Sequence, residues 1–527
     1  MMQATQTTKH SARPRDLTDG PGLIAWCDEA FAALNQSEWA SLLDVAGVSV
    51  LEALRQELVL RTRDHLRGKP QGGRQPWWKR SLEQGRQLAY RVKIDRHERR
   101  AAAKSAAVQK ADVVIWPRDP THYRGQLPVY RALGERGTSV SVFACNPAIF
   151  DQVRAQDVPV ISPRAAWPEA LAAARRDGRK AARELARLGS ASTSFPTLGD
   201  TRQLAASWHA TLVRFLPFVH EAVVNCQQLC ERTGARVILV GYDITVEGRT
   251  ACLLAPRYGA RTACLMHGSM ASSPLHYCHL AEYWMVYGEQ ARRQLMAYGM
   301  SEERISVCGA PYLDQRPRQS GRLDPTISER LGLDAQRPTV LVANSGPGHS
   351  ISHAHHGRLI RSIMRLSAAM PEVQFVAKLH PKDRLDYYEQ AKADVPESRL
   401  HMVAHRAEGY PREIFTWLQG VRVLLTGASA TAFEAMLLDV PVVTIDLADE
   451  ISDVDFIDAG ATLHVETDEA LSDAVTGLLA GSEVRAGLQS RVDAYLKDAF
   501  YALDGHSAAR AAEALEGLLA GPARAEV

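Results

Sequence analysis

Residues 421–445, VRVLLTGASATAFEAMLLDVPVVTI, decide the fold more clearly than any other stretch of the chain. An apolar strand over Val421–Leu425 runs into a turn of small residues, a helix begins near Thr431, and Pro441 begins a second apolar strand. This order predicts parallel strands joined by a helical crossover. The first free N–H groups of such a helix form an anion site, to which Ser429 and Thr431 add hydroxyl donors.

Glu434 lies about one helical turn after Thr431, where a carboxylate can hold sugar hydroxyls. A phosphate site beside a hydroxyl-binding carboxylate suits a nucleotide. The alternative is an ordinary helix start, with Ser429 or Thr431 as the N-cap and Glu434 closing a capping box.

A second segment upstream favours the nucleotide interpretation. Residues 373–383, VQFVAKLHPKD, form a predicted strand that ends in His380 and Pro381, and the proline stops the ladder and fixes the turn. His380 is thereby placed at the carboxyl end of a strand, where ligands bind in open α/β sheets. Its imidazole can donate to a phosphate, with Lys382 as a nearby cation.

Together these two motifs resemble the carboxy-terminal domain of GT-B glycosyltransferases. The resemblance is strongest to bacterial capsule and surface-polysaccharide enzymes with a His-Pro motif and a Ser-Ser/Thr motif: polysialyltransferase-like, Kdo-transferase-like and glycerophosphotransferase-like proteins. It implies that His380, Ser429 and Thr431 bind the phosphate of a CMP- or CDP-linked donor. The chain has Ser-Ala-Thr where these families often show Ser-Ser-Thr, so one hydroxyl is missing. The resemblance covers roughly residues 110–480 in architecture and does not fix the sugar.

Strands and helices alternate on both sides of a polar linker, which predicts an α/β chain with two Rossmann-like parallel-sheet domains. In the GT-B plan these domains face a cleft, and a helical extension precedes them. The predicted organisation is a flexible tail at 1–20, a helical, basic extension at 21–110, an acceptor domain with a helical insertion at 111–314, a linker at 315–337, a nucleotide-binding domain at 338–480 and carboxy-terminal helices at 481–527.

Composition limits the class of protein. A chain of 527 residues is too long for one core, and a formal charge of +2 gives no global argument for a nucleic-acid partner. No apolar run reaches ~18 residues, so no membrane-spanning helix is predicted. The amino terminus has no apolar signal core, and the eight cysteines are scattered. We therefore expect reduced thiols in a cytoplasmic protein.

The stretch 63–110 is strongly basic, with fourteen Lys or Arg residues against four acids, and it contains the pair Trp77-Trp78. Such a segment can lie on an anionic lipid surface, which would make the protein peripheral at the inner membrane. Alternatively, it is a solvated face that packs on a neighbouring domain.

The loop after the first strand of the acceptor domain, residues 117–125, carries candidate catalytic groups. Glycosyl transfer requires a carboxylate or imidazole that removes the acceptor hydroxyl's proton, and Asp119 and His122 are the candidates. Arg118 and Arg124 could hold an anionic acceptor or simply pair with Asp119. The alternative is a capped helix start with charges that face solvent.

Three further strand ends supply candidates. His267 follows a buried strand, and its His-Gly pair resembles a segment of the glycerophosphotransferase and surface-carbohydrate families, which implies a third catalytic candidate; the alternative is a hydrogen-bonded core histidine. Asp243 could reach the acceptor. Ser345 and Gly346 form a turn that could approach the donor phosphate through backbone N–H groups or act as a flexible connector.

The histidine run 349, 353, 355 and 356 invites a metal site, but the GT-B resemblance implies no metal, and no cofactor is expected. A surface loop or a mobile donor lid is the preferred interpretation of this run.

The leading prediction is a glycosyltransferase that uses a CMP- or CDP-linked sugar donor and a glycan or lipid-linked acceptor in capsule or surface-polysaccharide synthesis. The first alternative is an enzyme like UDP-N-acetylglucosamine 2-epimerase, which requires several carboxylates for proton abstraction and elimination. Asp119, Asp243 and Glu434 are the available ones. The second alternative is a non-catalytic nucleotide-binding scaffold with 63–110 as its working surface.

Overall fold

The computed structural model describes residues 20–66, 99, 105–154, 156, 158–189, 202–268, 274–316, 321–347, 351–427, 429–451, 454–481 and 483–521. The chain divides into two compact units. The first comprises residues 1–267, 272–314 and 502–527, and the second comprises 268–271 and 315–501. The predicted flexible tail up to residue 19 and most of the basic stretch 63–110 lie outside the described residues.

A parallel sheet of seven described strands forms the centre of the first unit. Its strands are β3 (Val113–Trp116), β4 (Val140–Phe143), β5 (Val160–Ile161), β6 (Val237–Val240), β7 (Arg261–Leu265), β8 (Tyr283–Val286) and β9 (Ile305–Val307), in the spatial order β5-β4-β3-β6-β7-β8-β9. The central strands β3 and β6 are buried on both faces, because helices cover the sheet on both sides.

Helices of the first unit connect these strands or precede them. They are α1 (Pro21–Asn35), α2 (Val50–Ala53), α3 (Arg55–Leu66), α4 (Pro120–Glu135), α5 (Pro147–Arg154), α6 (Pro163–Ala166), α7 (Pro168–Leu188), α8 (Arg202–Thr233), α9 (Val246–Leu254) and α10 (Glu289–Ala297), with 3-10 turns at Ala40–Leu42, Ala255–Tyr258, Pro274–Cys278, Glu302–Arg304 and Pro311–Leu313.

The N-terminal region is helical, as predicted, but it also contains a hairpin that the sequence pattern did not show. Strands β1 (Asp44–Val45) and β2 (Val48–Ser49) pair in antiparallel fashion around Ala46 and Gly47, both of which have positive φ. Two-residue strands are too short for a visible alternation of apolar and polar residues. The region is tied to helix α9 by the buried Arg249, which donates to the Glu52 carboxylate at 2.8 Å.

A second parallel sheet, of six described strands, forms the second unit. Its strands are β10 (Thr339–Val342), β11 (Gln374–Lys378), β12 (Leu400–Val403), β13 (Val423–Thr426), β14 (Val442–Ile445) and β15 (Leu463–Val465), in the spatial order β12-β11-β10-β13-β14-β15. Every described pairing in it is parallel.

Helices of the second unit cover this sheet, and one further helix returns to the first unit. They are α11 (Pro325–Leu331), α12 (His353–Ala369), α13 (Leu385–Asp394), α14 (Ile414–Leu418), α15 (Thr431–Met436), α16 (Asp455–Asp458), α17 (Asp468–Ala480) and α18 (Glu483–Phe500), followed in the first unit by α19 (Ser507–Ala520). Helix α19 packs on α4, where Glu516 accepts hydrogen bonds from Arg136 and Thr138, both at 2.7 Å.

The predicted fold class is confirmed, since two parallel-sheet α/β units and a helical N-terminal region are present. In each sheet the strand order reverses once, between β3 and β6 and between β10 and β13. Loops at the carboxyl ends of such neighbouring strands diverge and leave a crevice, which is the usual ligand position in open α/β sheets. Within the described ranges, none of the helices combines the length and apolar character needed to cross a bilayer.

Candidate functional site

The crevice of the first unit lies between the loops that follow β3 and β6. Gly241, directly after β6, donates its N–H to Trp116 O at 2.9 Å. A Cβ at this position would lie 2.9 Å from both Arg118 N and His122 Nδ1. Glycine is therefore needed here, because any side chain would push away the loop that carries Arg118, Asp119 and His122.

Asp119 begins helix α4. Its Oδ1 accepts hydrogen bonds from the backbone N–H groups of Thr121 at 2.9 Å and His122 at 3.2 Å, so it is the N-cap, and Pro120 follows at the first helical position. The same oxygen lies 3.5 Å from His122 Nδ1. The helix cap and the placement of His122 thus depend on one carboxylate, whose side chain is still 39% exposed.

His122 and His267 form the most unusual feature of this crevice. Their ring centroids are 4.1 Å apart in an edge-to-face arrangement, and the Tyr242 ring lies 4.7 Å from His267. Burial lowers the pKa of His267 to about 4. The pKa of His122 is lowered well below its ordinary range by burial and by the neighbouring His267. Both imidazoles are therefore neutral near pH 7, and each keeps a lone pair that can accept a proton.

These lowered pKa values predict a pH-dependent stability. The unfolded chain, with an ordinary histidine pKa of 6.5, binds more protons than the folded chain between pH 6.5 and about 4. Stability contributed by the neutral pair is complete above pH 6.5 and is lost as the pH falls, by at most about 1.4 kcal/mol per pH unit for each histidine. Measured by urea titration, the free energy of unfolding should fall less between pH 7 and pH 5 for His122→Gln than for the unmodified protein. Equal losses would contradict the pKa assignment.

Asp243 does not face the crevice. It is fully buried, and its two oxygens accept hydrogen bonds from His279 Nδ1 at 2.7 Å, from the backbone N–H groups of Leu280 and Ala281, both at 2.8 Å, and from Trp284 Nε1 at 3.2 Å. Burial alone would raise its pKa, but the charge and hydrogen bond of His279 and the two backbone donors lower it. This geometry gives Asp243 the role of fixing the segment before β8, so it is not retained as an acceptor-binding residue.

The two arginines predicted to hold an acceptor, Arg118 and Arg124, have different surroundings. Arg124 stacks over the Tyr312 ring, with its guanidinium carbon 4.6 Å from the centroid. Arg118 is exposed, and its carbonyl oxygen accepts a hydrogen bond from Asn146 Nδ2 at 3.0 Å. Of this predicted pair, only Arg118 borders the crevice beside His122.

In the second unit, the crevice lies between the loops after β10 and β13. Asn344, which sequence reasoning did not single out, joins them, since its Oδ1 accepts a hydrogen bond from Gly427 N at 2.8 Å. Gly346 has a φ of +74° and lies against the turn after β11, where an added Cβ would be 3.1 Å from Asp383 N. The predicted glycine turn is thus anchored on both sides, which disfavours a flexible connector.

His380 lies half-buried at the carboxyl end of β11, as predicted. The backbone N–H of Lys382 donates to its Nδ1 at 3.2 Å. Burial lowers the pKa of His380, and the positive charges of Lys382 and His405 lower it further. Since Nδ1 accepts, Nε2 carries the proton, and His380 is a neutral donor at this strand end.

Ser429, Thr431 and Glu434 lie together after β13. The Ser429 hydroxyl donates to Thr431 Oγ1 at 3.2 Å and accepts from Thr431 N at 3.3 Å. Helix α15 has Ala430 as its N-cap residue, so neither Ser429 nor Thr431 occupies the N-cap position. Glu434 is buried in the first turn of this helix, one turn after the two hydroxyls.

Two histidines of the run at 349–356, His355 and His356, make hydrogen bonds or close polar contacts within the second unit. His355 Nε2 accepts from Leu447 N at 3.1 Å, and His356 Nε2 lies 3.3 Å from Asp383 Oδ2, which also accepts from Tyr388 at 2.9 Å. Two of these histidines are thus structural rather than parts of a loop surface, while His349 lies outside the described residues. Within the described ranges, no group of three or more His, Cys, Asp or Glu side chains is arranged to hold a metal ion.

The chain is similar in sequence or fold to several known proteins. A family model described as UDP-N-acetylglucosamine 2-epimerase matches residues 276–516. A solved UDP-N-acetylglucosamine 2-epimerase shares 14% identity, with a TM-score of 0.50, over 77% of this chain and 95% of its own. A Listeria monocytogenes protein solved as a putative UDP-N-acetylglucosamine 2-epimerase shares 15% identity, with a TM-score of 0.52, over 78% of this chain and 96% of its own. The S. aureus protein MnaA, solved with UDP, shares 11% identity, with a TM-score of 0.50, over 78% of this chain and 97% of its own. No curated protein sequence matches the chain.

These similarities show that the chain has the GT-B-like fold shared by the epimerase structures. They overturn the prediction of a glycosyltransferase with a CMP- or CDP-linked donor, because the family model that matches is that of an epimerase. The physical reason is that the His-Pro and Ser-Ala-Thr motifs describe a strand-end turn and two hydroxyls. Such a phosphate site suits any nucleotide donor and does not select the reaction.

Proposed function

We propose that this protein is an enzyme that binds a UDP-linked N-acetylhexosamine and inverts its C2 centre, as UDP-N-acetylglucosamine 2-epimerase does. The observation that carries the proposal is the epimerase family model, whose match at 276–516 spans β10 to β15 and the candidate residues at their ends. The fold similarity to two epimerase structures and to a UDP complex supports it.

Inversion at C2 poses a definite chemical problem. The C2 hydrogen is not acidic, since no carbonyl is adjacent to it. A base can remove it when the C2–H electron pair forms a C1–C2 double bond and the C1–O bond to UDP breaks. Return of the UDP oxygen to C1 and of a proton to the opposite face of C2 completes the inversion. The protein must therefore hold UDP firmly and provide proton acceptors and donors.

Residues of the first unit suit the proton transfers. His122 and His267 are neutral, adjacent and buried, so each can take a proton without first losing one. Asp119 caps the helix that carries His122, which positions that imidazole. In place of the carboxylates expected for an epimerase, we assign His122 and His267 the removal of the C2 proton; the imidazolium formed in that step is the acid that supplies the returning proton, and Asp119 has a positioning role.

The UDP site is proposed at the crevice of the second unit. The Ser345–Gly346 turn offers backbone N–H groups, the His380 Nε2–H and the Ser429 and Thr431 hydroxyls offer donors to the phosphates, and Lys382 adds positive charge. Buried Glu434 accepts from the ribose hydroxyls.

His380→Ala tests this assignment. Removing a hydrogen bond to a charged phosphate should cost roughly 1.5–3 kcal/mol, so UDP affinity should fall by about tenfold or more. Calorimetry with UDP measures the change, and His401→Ala is the matched control, since His401 is a half-buried histidine on β12 that lies outside the proposed contacts. Equal UDP affinity in His380→Ala and the unmodified protein would remove His380 from the site.

The reaction itself is tested by incubating the protein with UDP-N-acetylglucosamine and separating the products by ion chromatography. The expected product is the C2 epimer, UDP-N-acetylmannosamine, formed to the same final ratio from either starting sugar. Binding of UDP without any conversion would contradict the epimerase proposal and favour the non-catalytic nucleotide-binding scaffold.

We also propose that the basic stretch 63–110, most of which lies outside the described residues, contacts anionic lipid. Sedimentation with anionic vesicles should then weaken as salt rises, because exposed charges are screened, and should be lost when Trp77 and Trp78 are both replaced by alanine. Equal sedimentation with neutral and anionic vesicles would favour packing on a neighbouring domain.

A further inference from the structure

A cavity of about 170 Å³ lies in the first unit, between the N-terminal helices and the loop after β3. Helices α2 and α3 contribute Ala53, Leu54, Gln56 and Glu57, and the remaining lining residues come from α8, from the segment before and into α9, and from Arg118. None of the lining residues is assigned a role in the proposed epimerase reaction, so that activity does not account for the cavity.

The size of the cavity limits its occupant to a single ring. A cavity of about 150 Å³ in another protein binds benzene, so a six-membered ring fits. Sites for drug-sized ligands are larger, about 300–1,000 Å³. A whole nucleotide sugar is therefore too large for it.

One wall of the cavity is aromatic. The Phe215 and Phe218 rings lie 5.9 Å apart, and the Arg214 guanidinium carbon lies 5.4 Å from the Phe215 centroid. Phe218 is 55% exposed, which is unusual for so large an apolar side chain. The negative face of an aromatic ring attracts C–H groups that carry partial positive charge, such as those on one face of a pyranose.

The lining also includes polar and charged residues, namely Gln56, Glu57, Glu247 and Arg118. Hydroxyl groups can donate to the carboxylates and the amide oxygen, and they can accept from the guanidinium and the amide N–H. Because the lining residues include two glutamates and one arginine, the lining carries a net negative charge, which disfavours phosphates and carboxylates as ligands.

We propose that this cavity is a binding site for the pyranose ring of a neutral sugar. Phe218 packs on one face of the ring, and Gln56, Glu57, Glu247 and Arg118 hold its hydroxyls. Arg118 also places the occupant beside the catalytic loop, since its backbone and His122 both approach Gly241. The ring belongs either to a free monosaccharide or to the end of a glycan.

Saturation-transfer NMR on the full chain tests this site, with N-acetylglucosamine and its β-1,4-linked disaccharide as probes and saturating UDP present. The sugar ring signals should fall by about fivefold or more in Phe218→Ala and in Glu247→Gln, since each removes one side of the recognition. Phe218 is largely exposed, so its replacement should leave the melting temperature unchanged. Tyr258→Ala, at another exposed aromatic residue of the first unit, is the matched control and should keep full signals.

Two further probes complete the test. Glucosamine 6-phosphate should give weak signals, because its charge is disfavoured, and cyclohexanol should give weaker signals than the sugars. A stronger disaccharide signal would identify a glycan end as the source, and equal signals a free monosaccharide; both support a pyranose site. Unchanged signals in Phe218→Ala and Glu247→Gln, or cyclohexanol binding as well as the sugars, would overturn the proposal. Because the readout is sugar binding, it is independent of epimerase turnover.

Discussion

His122→Ala and His267→Ala are each expected to lower epimerase turnover by at least about a hundredfold, since a positioned general acid or base contributes roughly 10²–10⁴ in rate. The two imidazoles are neutral because burial lowers the pKa of each. They lie 4.1 Å apart, so both can reach one reacting centre. Turnover should fall while UDP affinity stays the same, because in the proposed reaction these groups act on the transition state and other residues form the proposed UDP site.

Turnover by ion chromatography and UDP affinity by calorimetry should be measured separately on each variant. His401→Ala is the matched control, because His401 is also a partly buried histidine but lies on β12, away from both crevices. The assignment of His122 and His267 is wrong if both variants retain near-normal turnover. A parallel loss of UDP affinity would instead indicate a general disturbance of the fold.

Asp243→Ala should have the largest effect on stability, a loss of about 3–5 kcal/mol, because it leaves buried donors without their acceptor. Asp243 is fully buried and accepts from His279, Trp284 and two backbone N–H groups. Within the described ranges, no other side chain accepts hydrogen bonds from all four of these donors. The change is measured as the free energy of unfolding from urea titration at pH 7.

Asp324→Ala provides a comparison for this prediction. Asp324 is a partly exposed helix N-cap that accepts one described backbone hydrogen bond, from Thr326 at 2.9 Å, and its loss should cost only about 0.5–2 kcal/mol. A cost for Asp243→Ala as small as that of Asp324→Ala would show that the donors around Asp243 find water or other partners.

The strands of the two sheets were predictable because they are continuous apolar runs between small or polar turns. The strand predicted at Val421–Leu425 overlaps β13 at Val423–Thr426, and the strand predicted from Pro441 onward is β14 at Val442–Ile445. Strand β15 was not predicted, because Leu463–Val465 is only three residues long with an exposed histidine in its centre. Hairpin β1–β2 was not predicted for the same reason, because the alternation of apolar and polar residues becomes visible only in strands longer than these two-residue ones.

Parts of the candidate site were predictable from one rule, that strand ends of a parallel sheet meet at one edge. It placed His122, His267 and His380 at strand ends. Asp243 also follows a strand, but its partner His279 is 36 positions away, so sequence alone could not show that its carboxylate is occupied. The reaction type was missed because a phosphate site carries no information about the chemistry at the sugar.

The most direct test of the epimerase account is ¹H NMR of UDP-N-acetylglucosamine incubated with the protein in D₂O. Reversible removal of the C2 proton predicts that the H2 signal of the substrate disappears as deuterium enters C2, and that the anomeric signal of UDP-N-acetylmannosamine appears. His122→Ala and His267→Ala should each slow both changes together. Retention of a full H2 signal, with no second anomeric signal while UDP still binds, would contradict the account.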